Sequence, residues 1–526
     1  MHTWLYKNLQ KYKVATYILF SLFSMFLLEI FNGSYIFGDD FTEIYKHQSF
    51  NLEDFFSQNL SDIKRYIYGL PNYFGLFWTF ISFNTEFLVG YSILKGIIHI
   101  ICLYLVYKFF TLYFERNESI LAAVVFIFLP LHDVTQHWFM TLAYILTPSL
   151  LLFSYYLIEK KNTVGAVFTS IFGSFFFYSS PPFFLGLGSL LIYRKQYAKS
   201  LIILFPGFLY IIYYFYVGQF ILFTDPSGER IKSDLEILEL VKNIFFQAAT
   251  MIESSIGISP VLKSYISLSF LDLYDVLLAA SLMLCAYSIF QNTIGLNKHF
   301  RDLWVLGVSF IIFSILMYSL TGSYWHNAIN LANRSLVYPS FLITIALMYV
   351  CSSRQKKSLL LFSLCLINLG LSNHWDEWSK SQQSMIKNIS HNKDLEALKN
   401  NEIIFVRGGM YSKFGDFDNI EFLVAPWILE SVFQRNDLVI IPLTSYLTHD
   451  NENIVDLKWK KKYIKDGEMY LYNIETNKLS SLSNEGLNNL IQATQPPYRH
   501  WIQNYRDSKL VTFMIKEIPS LKYLFD

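Results

Sequence analysis

Long apolar stretches separated by short polar gaps occupy most of the chain up to residue 371. A helix needs about 20 apolar residues to cross a hydrocarbon layer about 30 Å thick. Stretches that reach or approach this length lie at about 14–33, 87–107, 118–131, 141–158, 163–179, 183–193, 200–218, 271–290, 303–320, 335–351 and 358–371. The third and the sixth are short, which indicates tilted or broken helices packed against their neighbours. The pattern predicts an α-helical polytopic membrane protein with about 11 transmembrane helices.

The first apolar stretch follows Lys7, Lys11 and Lys13, and in this respect it is similar to a secretion signal. Its apolar run has the length of a full span. The sequence at its far end, Leu-Leu-Glu-Ile-Phe-Asn, lacks the small residues of a cleavage site. We therefore expect a retained signal anchor.

Basic residues collect in alternate gaps between the predicted spans. They are Lys7, Lys11, Lys13, Lys108, Arg116, Lys160, Lys161, Arg194, Lys195, Lys199, Lys298, Arg301, Arg354, Lys356 and Lys357. Short loops rich in lysine and arginine stay on the cytoplasmic side of a membrane. The distribution predicts a cytoplasmic N-terminus, an odd number of spans and an outer C-terminus. The outer loops are then 34–86, 132–140, 219–270 and 321–334.

The tail from residue 372 to 526 differs from the rest of the chain in composition. Short alternating strands are predicted at 402–406, 438–442 and 469–473, between helical patterns. Its length of about 150 residues is that of a small domain. We therefore predict two domains, a transmembrane domain at 1–371 and an extracytoplasmic α+β domain at 372–526.

The composition agrees with a protein surrounded by membrane lipids, since 53% of the residues are hydrophobic and only 16% are charged. The formal net charge of +1 lacks the basic excess that neutralises a phosphate backbone, so nucleic acid is not an expected partner. The four cysteines, Cys102, Cys285, Cys351 and Cys365, lie in or beside apolar segments and form no metal-binding motif. We interpret them as small apolar core residues.

Two adjacent carboxylates, Asp39 and Asp40, begin the first outer loop in the sequence Tyr-Ile-Phe-Gly-Asp-Asp-Phe. The preceding span holds them near the membrane surface. A carboxylate at this place can act as a general base that takes a proton from an acceptor hydroxyl, if its surroundings tune its pKa. The alternative is a solvated loop start or an N-cap of the following helix, which aspartate favours.

A second acidic site lies at the outer end of the third predicted span, in Phe-Leu-Pro-Leu-His-Asp-Val-Thr-Gln-His-Trp. Pro130 is expected to end the span, which places His132, Asp133 and His137 in a compact turn. His-Asp-x-x-x-His does not fit a zinc motif, so a hydrogen-bonded structural turn is favoured over metal binding. His132 and Asp133 are candidate substrate-binding residues.

His99 lies inside the second predicted span, with Lys95 one turn before it. Ionisable groups at this depth are costly and face the bundle interior. A hydrogen-bonded histidine that fixes helix packing is favoured over a catalytic or substrate-binding one.

Arg334 directly precedes the tenth predicted span, where a guanidinium can bind a phosphate with two hydrogen bonds. The alternative is snorkelling at the membrane interface. Arg65, in the first outer loop, has the same two interpretations.

Together these motifs resemble the multispanning glycosyltransferases of the GT-C class. The resemblance is carried by the Gly-Asp-Asp sequence of the first outer loop, by the segments 65–71 and 91–99, and by the turn at 128–138. The second-span histidine and the Pro-x-His-Asp turn are most similar to members that use polyprenyl-phosphate sugars. The detailed resemblance covers about the first 160 residues; beyond them it consists of the topology and an outer C-terminal domain.

The resemblance implies a GT-C-like fold and an inverting glycosyltransferase on the outer face of the bacterial cytoplasmic membrane. Such enzymes move a sugar from a polyprenyl-phosphate donor to a glycan, lipid or protein acceptor. Asp39 or Asp40 matches the catalytic aspartate of the first loop, Asp133 matches the acidic residue of the second turn, and Arg334 loosely matches a phosphate-binding arginine. Some members use a divalent cation. Asp39, Asp40 and Asp133 could hold Mg²⁺ or Mn²⁺ through oxygen ligands.

Three other functions remain open from the sequence, one of which is a catalytically inactive scaffold. A lipid-linked glycan polymerase or ligase has a similar number of spans and would use a diphosphate-linked donor. A transporter or flippase would place its binding site near the midplane, in broken helices of matching halves. The sequence identifies neither the sugar nor the acceptor.

Overall fold

A computed structural model of the chain describes residues 2–31, 36–48, 50–62, 88–217, 236–290, 300–321 and 325–493, the last range with short gaps at 436, 445–446, 451, 458 and 460, and also 512, 515–517 and 519. The described chain divides into two compact units, 1–380 and 381–526. The predicted boundary at 371/372 and this division both lie within one long helix, Arg354–Ser390.

The first unit is helical throughout its described parts. Its helices are α1 (His2–Phe31), α2 (Asp40–His47), α3 (Leu52–Asp62), α4 (Leu88–Phe110), α5 (Arg116–Ile127), α6 (Val134–His137), α7 (Ala143–Glu159), α8 (Thr163–Phe176), α9 (Pro181–Tyr193), α10 (Tyr197–Val217), α11 (Ile237–Ile256), α12 (Ile258–Ser267), α13 (Leu273–Ile289), α14 (Phe300–Thr321), α15 (Val337–Val350) and α16 (Arg354–Ser390). Short 3₁₀ helices lie at Pro130–His132, Phe139–Thr141, Leu268–Phe270 and Leu331–Leu336. Every predicted apolar stretch coincides with a helix.

Six helices in the described part of the chain are long and apolar enough to cross a membrane. They are Tyr91–Phe110, Phe139–Glu159, Tyr197–Tyr216, Phe300–Leu320, Leu331–Val350 and Arg354–Ser390. A bent pair raises the count to seven if it forms one span. The chain is therefore a mostly helical membrane protein, while the count of about 11 spans stays a prediction.

The predicted outer loop at 219–270 contains two amphipathic helices in its described part, α11 and α12. The chain bends by 117° between the segment Ile237–Phe270 and α13, as in a broken span or a re-entrant loop. In α11 and α12 the apolar residues lie on one face and polar residues lie between them in the sequence. The mean hydropathy of this segment is therefore lowered, and the sequence pattern did not predict a span here.

Close packing of the helices depends on glycine at several crossings. A Cβ atom added to Gly188 would lie 2.3 Å from a side-chain carbon of Leu204, and one added to Gly207 would lie 2.4 Å from the Phe184 ring. Small residues let membrane helices approach closely. Close approach adds van der Waals contacts, which stabilise helix association in lipid, where no hydrophobic driving force acts between helices. The apolar core that results includes residues from α1, α4, α5, α7, α9, α14, α15 and α16.

Ion pairs join different helices near the basic gaps between the predicted spans. Lys357 Nζ, at the start of α16, lies 2.7 Å from a carboxylate oxygen of Glu118, at the start of α5, and both side chains are buried. Arg194, after α9, pairs with Asp302 of α14 and donates a hydrogen bond to the Tyr155 hydroxyl. Lys357 and Arg194 are thus each paired with a carboxylate from another helix, which offsets part of the cost of taking their charges out of water.

The second unit contains a small α/β region, in agreement with the strands and helices predicted for the tail of the chain. Its strands are β1 (Ile403–Arg407), β2 (Tyr411–Phe414), β3 (Phe417–Glu421), β4 (Val439–Pro442), β5 (Leu447–His449), β6 (Asn453–Asp456), β7 (Lys461–Ile464), β8 (Met469–Asn473) and β9 (Lys478–Ser481), with helices α17 (Lys393–Glu396), α18 (Pro426–Phe433) and α19 (Asn484–Ala493). The three predicted strands are present as β1, β4 and β8.

The main sheet of this unit has the order β4-β1-β8-β9. Strand β1 is parallel to both of its neighbours, whereas β9 is antiparallel to β8. The unbroken apolar run of β1 is buried, which is typical of a central parallel strand covered on both faces. The core of the unit forms around Ile403, Phe405, Ile441 and Leu487.

Candidate functional site

Asp40 is held by a tight turn at the start of α2. Gly38 has a φ of +52°, and a Cβ atom at this position would lie 3.0 Å from the Trp138 ring, so the turn requires glycine. The turn directs the backbone N–H of Phe37 to Asp40 Oδ2 at 3.2 Å. Asp40 is fully buried, although it is the first residue of a polar helix.

The two oxygens of Asp40 have different surroundings. Oδ2 also accepts a hydrogen bond from the Tyr91 hydroxyl of α4, whereas the buried Oδ1 has no hydrogen-bond partner among the described residues. Burial raises the pKa of Asp40 to about 7, against the opposing effects of Tyr91, the Phe37 N–H and the positive charge of Lys95. The carboxyl is therefore poised to gain and lose a proton near neutral pH.

Lys95 connects Asp40 to the second outer turn. Its ammonium group is fully buried and donates a hydrogen bond to the carbonyl of His137 at 2.8 Å. The same group lies 5.4 Å from the ring centroid of Tyr91, one helical turn earlier. Lys95 thus holds α4 against α6 and places a cation beside the Asp40 carboxylate.

The turn at 130–141 folds into two short 3₁₀ helices on either side of α6. Pro130 begins the first of them, after α5 has ended at Ile127, because proline has no N–H to continue a helix. Thr141 Oγ1 closes the turn with hydrogen bonds to the carbonyls of Val134 and Trp138. The predicted compact turn is present.

Asp133 is the centre of a buried polar network. Its Oδ1 accepts hydrogen bonds from Lys263 Nζ of α12 at 2.7 Å and from Asn333 Nδ2 at 2.5 Å, and its Oδ2 accepts one from Trp375 Nε1 of α16 at 2.9 Å. Burial by itself raises the pKa of Asp133, but Lys263 and these hydrogen bonds outweigh it, and the pKa lies below its usual value. Asp133 is thus a permanent carboxylate with both oxygens bonded.

His132 is structural in this arrangement. Its Nε2 donates to the carbonyl of Phe126 at 3.1 Å, and its Nδ1 lies 2.9 Å from the Thr135 hydroxyl. Burial lowers the pKa of His132 to about 4, so the ring is neutral at physiological pH. Both ring nitrogens are engaged within the protein.

His99 has one ring nitrogen bonded to its own helix. Its Nδ1 donates to the carbonyl of Lys95 at 2.8 Å, and the ring packs against Phe31 and Phe128. The buried Nε2 has no partner in the part of the chain that the structure describes. The predicted packing role is present, together with an unused acceptor.

His137 and Gln136 are fully buried beside Asp133. Neither ring nitrogen of His137 and neither amide atom of Gln136 forms a hydrogen bond to any described residue. The His137 ring stacks on Trp375 with 5.2 Å between ring centroids. Burial lowers the pKa of His137 to about 3, so the imidazole is neutral.

The remaining predicted residues occupy different positions. Asp39 is half-buried at the N-cap of α2, where its carbonyl, and not its side chain, accepts the first helical N–H groups. Arg334 is half-buried in the 3₁₀ helix before α15, with its guanidinium 5.8 Å from the Trp138 ring centroid and 5.9 Å from that of Tyr144. Arg65 lies outside the described residues.

Trp138 is near two elements that carry predicted site residues, since its ring lies against Gly38, two residues before Asp40, and its ring centroid is 5.8 Å from the Arg334 guanidinium. Its buried indole N–H has no partner among the described residues. Through Trp138, the turn at 130–141 is thus next to both the Gly38 turn and Arg334.

No group of three or more His, Cys, Asp or Glu side chains in the described ranges is placed to hold a metal ion. Both oxygens of Asp133 are used within the protein, so this residue has no free oxygen to offer a cation. The described residues therefore do not fit a three-carboxylate site of Asp39, Asp40 and Asp133.

Several site residues lay outside the sequence predictions. Lys263, Asn333, Trp375 and Tyr91 are buried around Asp133 or Asp40. The one available signal was Lys263, a lone cation in the mostly apolar stretch Ile-Ser-Pro-Val-Leu-Lys-Ser-Tyr. The others have ordinary residue types for the ends of membrane helices.

In chemical terms the described residues provide a buried carboxyl with one oxygen that none of them bonds, a half-buried guanidinium, and neutral polar groups that none of them pairs. Comparisons of the chain with protein-family models, with curated proteins and with solved structures found no match.

Proposed function

We propose that the protein is an inverting glycosyltransferase that moves a sugar from a polyprenyl-phosphate donor to a hydroxyl of a cell-envelope acceptor, a lipid-linked glycan among them, on the outer face of the bacterial cytoplasmic membrane. The observation that carries the proposal is the buried Asp40 carboxyl, whose Oδ1 has no hydrogen-bond partner among the described residues and whose pKa is raised to about 7. A base of this kind takes a proton from an alcohol most effectively near neutral pH.

The reaction is a single displacement at the anomeric carbon. The acceptor oxygen forms the new bond to this carbon while the bond from carbon to the phosphate oxygen breaks and its electron pair leaves with the phosphate. Asp40 takes the acceptor proton through Oδ1. The phosphate leaves in ionised form and needs positive charge and hydrogen-bond donors, with no acid to protonate it.

Arg334 and the indole N–H of Trp138 are suited to the leaving phosphate. The guanidinium lies beside the Trp138 ring, and this ring contacts the turn that holds Asp40. A guanidinium binds phosphate oxygens through paired hydrogen bonds. In this assignment Asp133 does not contact the substrate and instead positions the turn.

The test compares Asp40→Asn with Asp39→Asn, the same chemical change one residue apart. Transfer from polyprenyl-phosphate sugars by purified protein is expected to fall about 10²–10⁴-fold in Asp40→Asn, as on loss of a general base, and to stay near wild type in Asp39→Asn. Full activity of Asp40→Asn would refute the assigned base. Separate reactions with monophosphate and diphosphate donors distinguish this enzyme from a glycan polymerase or ligase.

A transporter or flippase is the second candidate, because Ile237–Phe270 and α13 form a helix pair bent by 117°. Carriers build binding sites where helices are interrupted. Substrate movement across proteoliposomes, without any glycan product and with equal rates in wild type and Asp40→Asn, would favour this function.

A further inference from the structure

The polar groups around Asp40 contain more hydrogen-bonding capacity than the described protein uses. Both oxygens of Asp133 and both ring nitrogens of His132 have partners, but the His137 ring, the Gln136 amide and His99 Nε2 have none among the described residues. A buried polar group without a partner destabilises the fold, so native proteins pair such groups with the protein, with water or with a ligand.

His137 and His99 both bond to Lys95, the residue that acts on Asp40, and Gln136 is the neighbour of His137 along the chain. Lys95 donates to the His137 carbonyl, and Lys95 also acts on the charge of Asp40. By a second route, the His137 ring stacks on Trp375, which packs at 4.7 Å against the ring of Phe37, whose N–H binds Asp40. His137 is therefore linked to Asp40 by two routes, one through Lys95 and one through Trp375 and Phe37.

All the unused groups are uncharged. A neutral imidazole has one N–H donor and one acceptor, and a glutamine amide has both as well. His99 adds an acceptor, because its Nδ1 proton is already donated to the Lys95 carbonyl. A hydroxyl both donates and accepts, so this set matches several hydroxyls. A ligand carboxylate or ammonium would find no free group of opposite charge among these three residues.

Building on the proposed function, we infer that His137 and Gln136, with His99 Nε2, bind the hydroxyl groups of a neutral sugar ring on the donor, beside the Asp40 base. The site therefore selects a neutral glycosyl group over a uronic acid or an aminosugar. Specificity arises because a sugar that lacks the matching hydroxyls leaves these buried groups unpaired.

The experiment measures equilibrium binding to the purified full chain with Asp40→Asn in every sample, so that no donor is consumed. Four probes are used: polyprenyl phosphate alone, and polyprenyl phosphate that carries a neutral hexose, a hexuronate or an aminopentose. The neutral hexose is expected to bind more tightly than the other three probes.

Gln136→Met and His137→Phe are expected to weaken binding of the hexose probe about tenfold each, the scale of one buried hydrogen bond, and to leave binding of polyprenyl phosphate alone unchanged. His137→Asn and His137→Gln keep an amide near one ring nitrogen and are expected to restore part of the affinity. Gln196→Met is the matched control, because Gln196 follows α9 at the opposite end of the helices.

Thermal unfolding of each variant separates loss of binding from loss of the fold. Wild-type affinity for the hexose probe in folded Gln136→Met and His137→Phe overturns the inference, since the unused groups then bind water. Tighter binding of a charged sugar also overturns it. If wild type transfers no sugar and binds none of the lipid phosphates, the proposed function fails and the inference fails with it.

Discussion

Asp39 and Asp40 are adjacent and chemically identical, yet they differ in burial and in surroundings. Asp40 is buried, and its Oδ1 has no hydrogen-bond partner in the part of the chain that the structure describes, whereas Asp39 is half-buried at the start of α2. The Gly38 turn causes the difference, because it points one side chain toward α4. Burial then raises the pKa of Asp40 to about 7, which an exposed carboxylate would not reach.

This pKa predicts the pH dependence of transfer. Below about pH 7 Asp40 is protonated and cannot accept the acceptor's proton; above it the carboxylate is available. We therefore expect kcat/KM for sugar transfer to rise with pH, with a midpoint of about 7 in wild type and in Asp39→Asn. The residual activity of Asp40→Asn should lack this midpoint. A wild-type midpoint near the usual value of a free carboxyl would contradict the assignment.

At the scale of elements, Asp133 ties four parts of the chain together. The turn at 130–141 provides the carboxylate, α12 provides Lys263, the 3₁₀ helix before α15 provides Asn333, and α16 provides Trp375. The close approach of α16 to the end of α12 is possible because Gly370 has no side chain: an added Cβ would lie 2.0 Å from the Ser267 carbonyl oxygen. The candidate site is thus built by packing of the bent segment against α16.

Lys263→Met is expected to destabilise the protein by about 3–5 kcal/mol, because it leaves the Asp133 charge buried without its counter-ion. Unfolding of the detergent-purified protein, followed by heat or denaturant, measures the effect. The double variant Lys263→Met with Asp133→Asn should recover part of the loss, since no lone charge then remains.

Lys357→Met is the matched control, because it breaks a second buried lysine–carboxylate pair, which joins the start of α5 to the start of α16. It should destabilise the fold to a similar degree. Donor affinity should fall only in Lys263→Met, where the turn that carries Gln136 and His137 is released. Equal stability of Lys263→Met and wild type would show that the pair does not hold these elements together.

At the scale of the whole molecule, the chain consists of a helical unit with several spanning helices and a small α/β unit. Every described residue of the candidate site belongs to the first unit. The alternating basic gaps predict that the site and the second unit lie on the outer side of the membrane.

This orientation can be measured with single cysteines in a variant without the four native ones. Lys413→Cys, in the second unit, should react with a membrane-impermeant thiol reagent in intact cells, because its side chain is exposed and the unit is predicted to lie outside. Lys161→Cys, in a basic gap between α7 and α8, should react only after the membrane is opened. The reverse pattern would invert the topology and would place Asp40 on the cytoplasmic side.

The sequence by itself determined the helical membrane class, the position of each apolar helix and the three strands recognised in the tail. These features are local: a run of apolar residues or a short alternating stretch carries its own signal, whatever the rest of the chain does. The sequence also indicated Asp39, Asp40 and Asp133 as candidates. Charged residues beside apolar helices are energetically unfavourable and therefore rare, so they are easily recognised in the sequence.

Only the tertiary structure showed that both oxygens of Asp133 accept hydrogen bonds, whereas Asp40 Oδ1 accepts none from the described residues. The partners of Asp133 lie 130, 200 and 242 positions away along the chain, and none stands in a motif with it. The role of a buried charge depends on the groups that surround it in space, since in a low-dielectric interior one lysine or one missing hydrogen bond decides its pKa. For this reason the structure distinguished Asp40 as the candidate base and Asp133 as the anchor of the site.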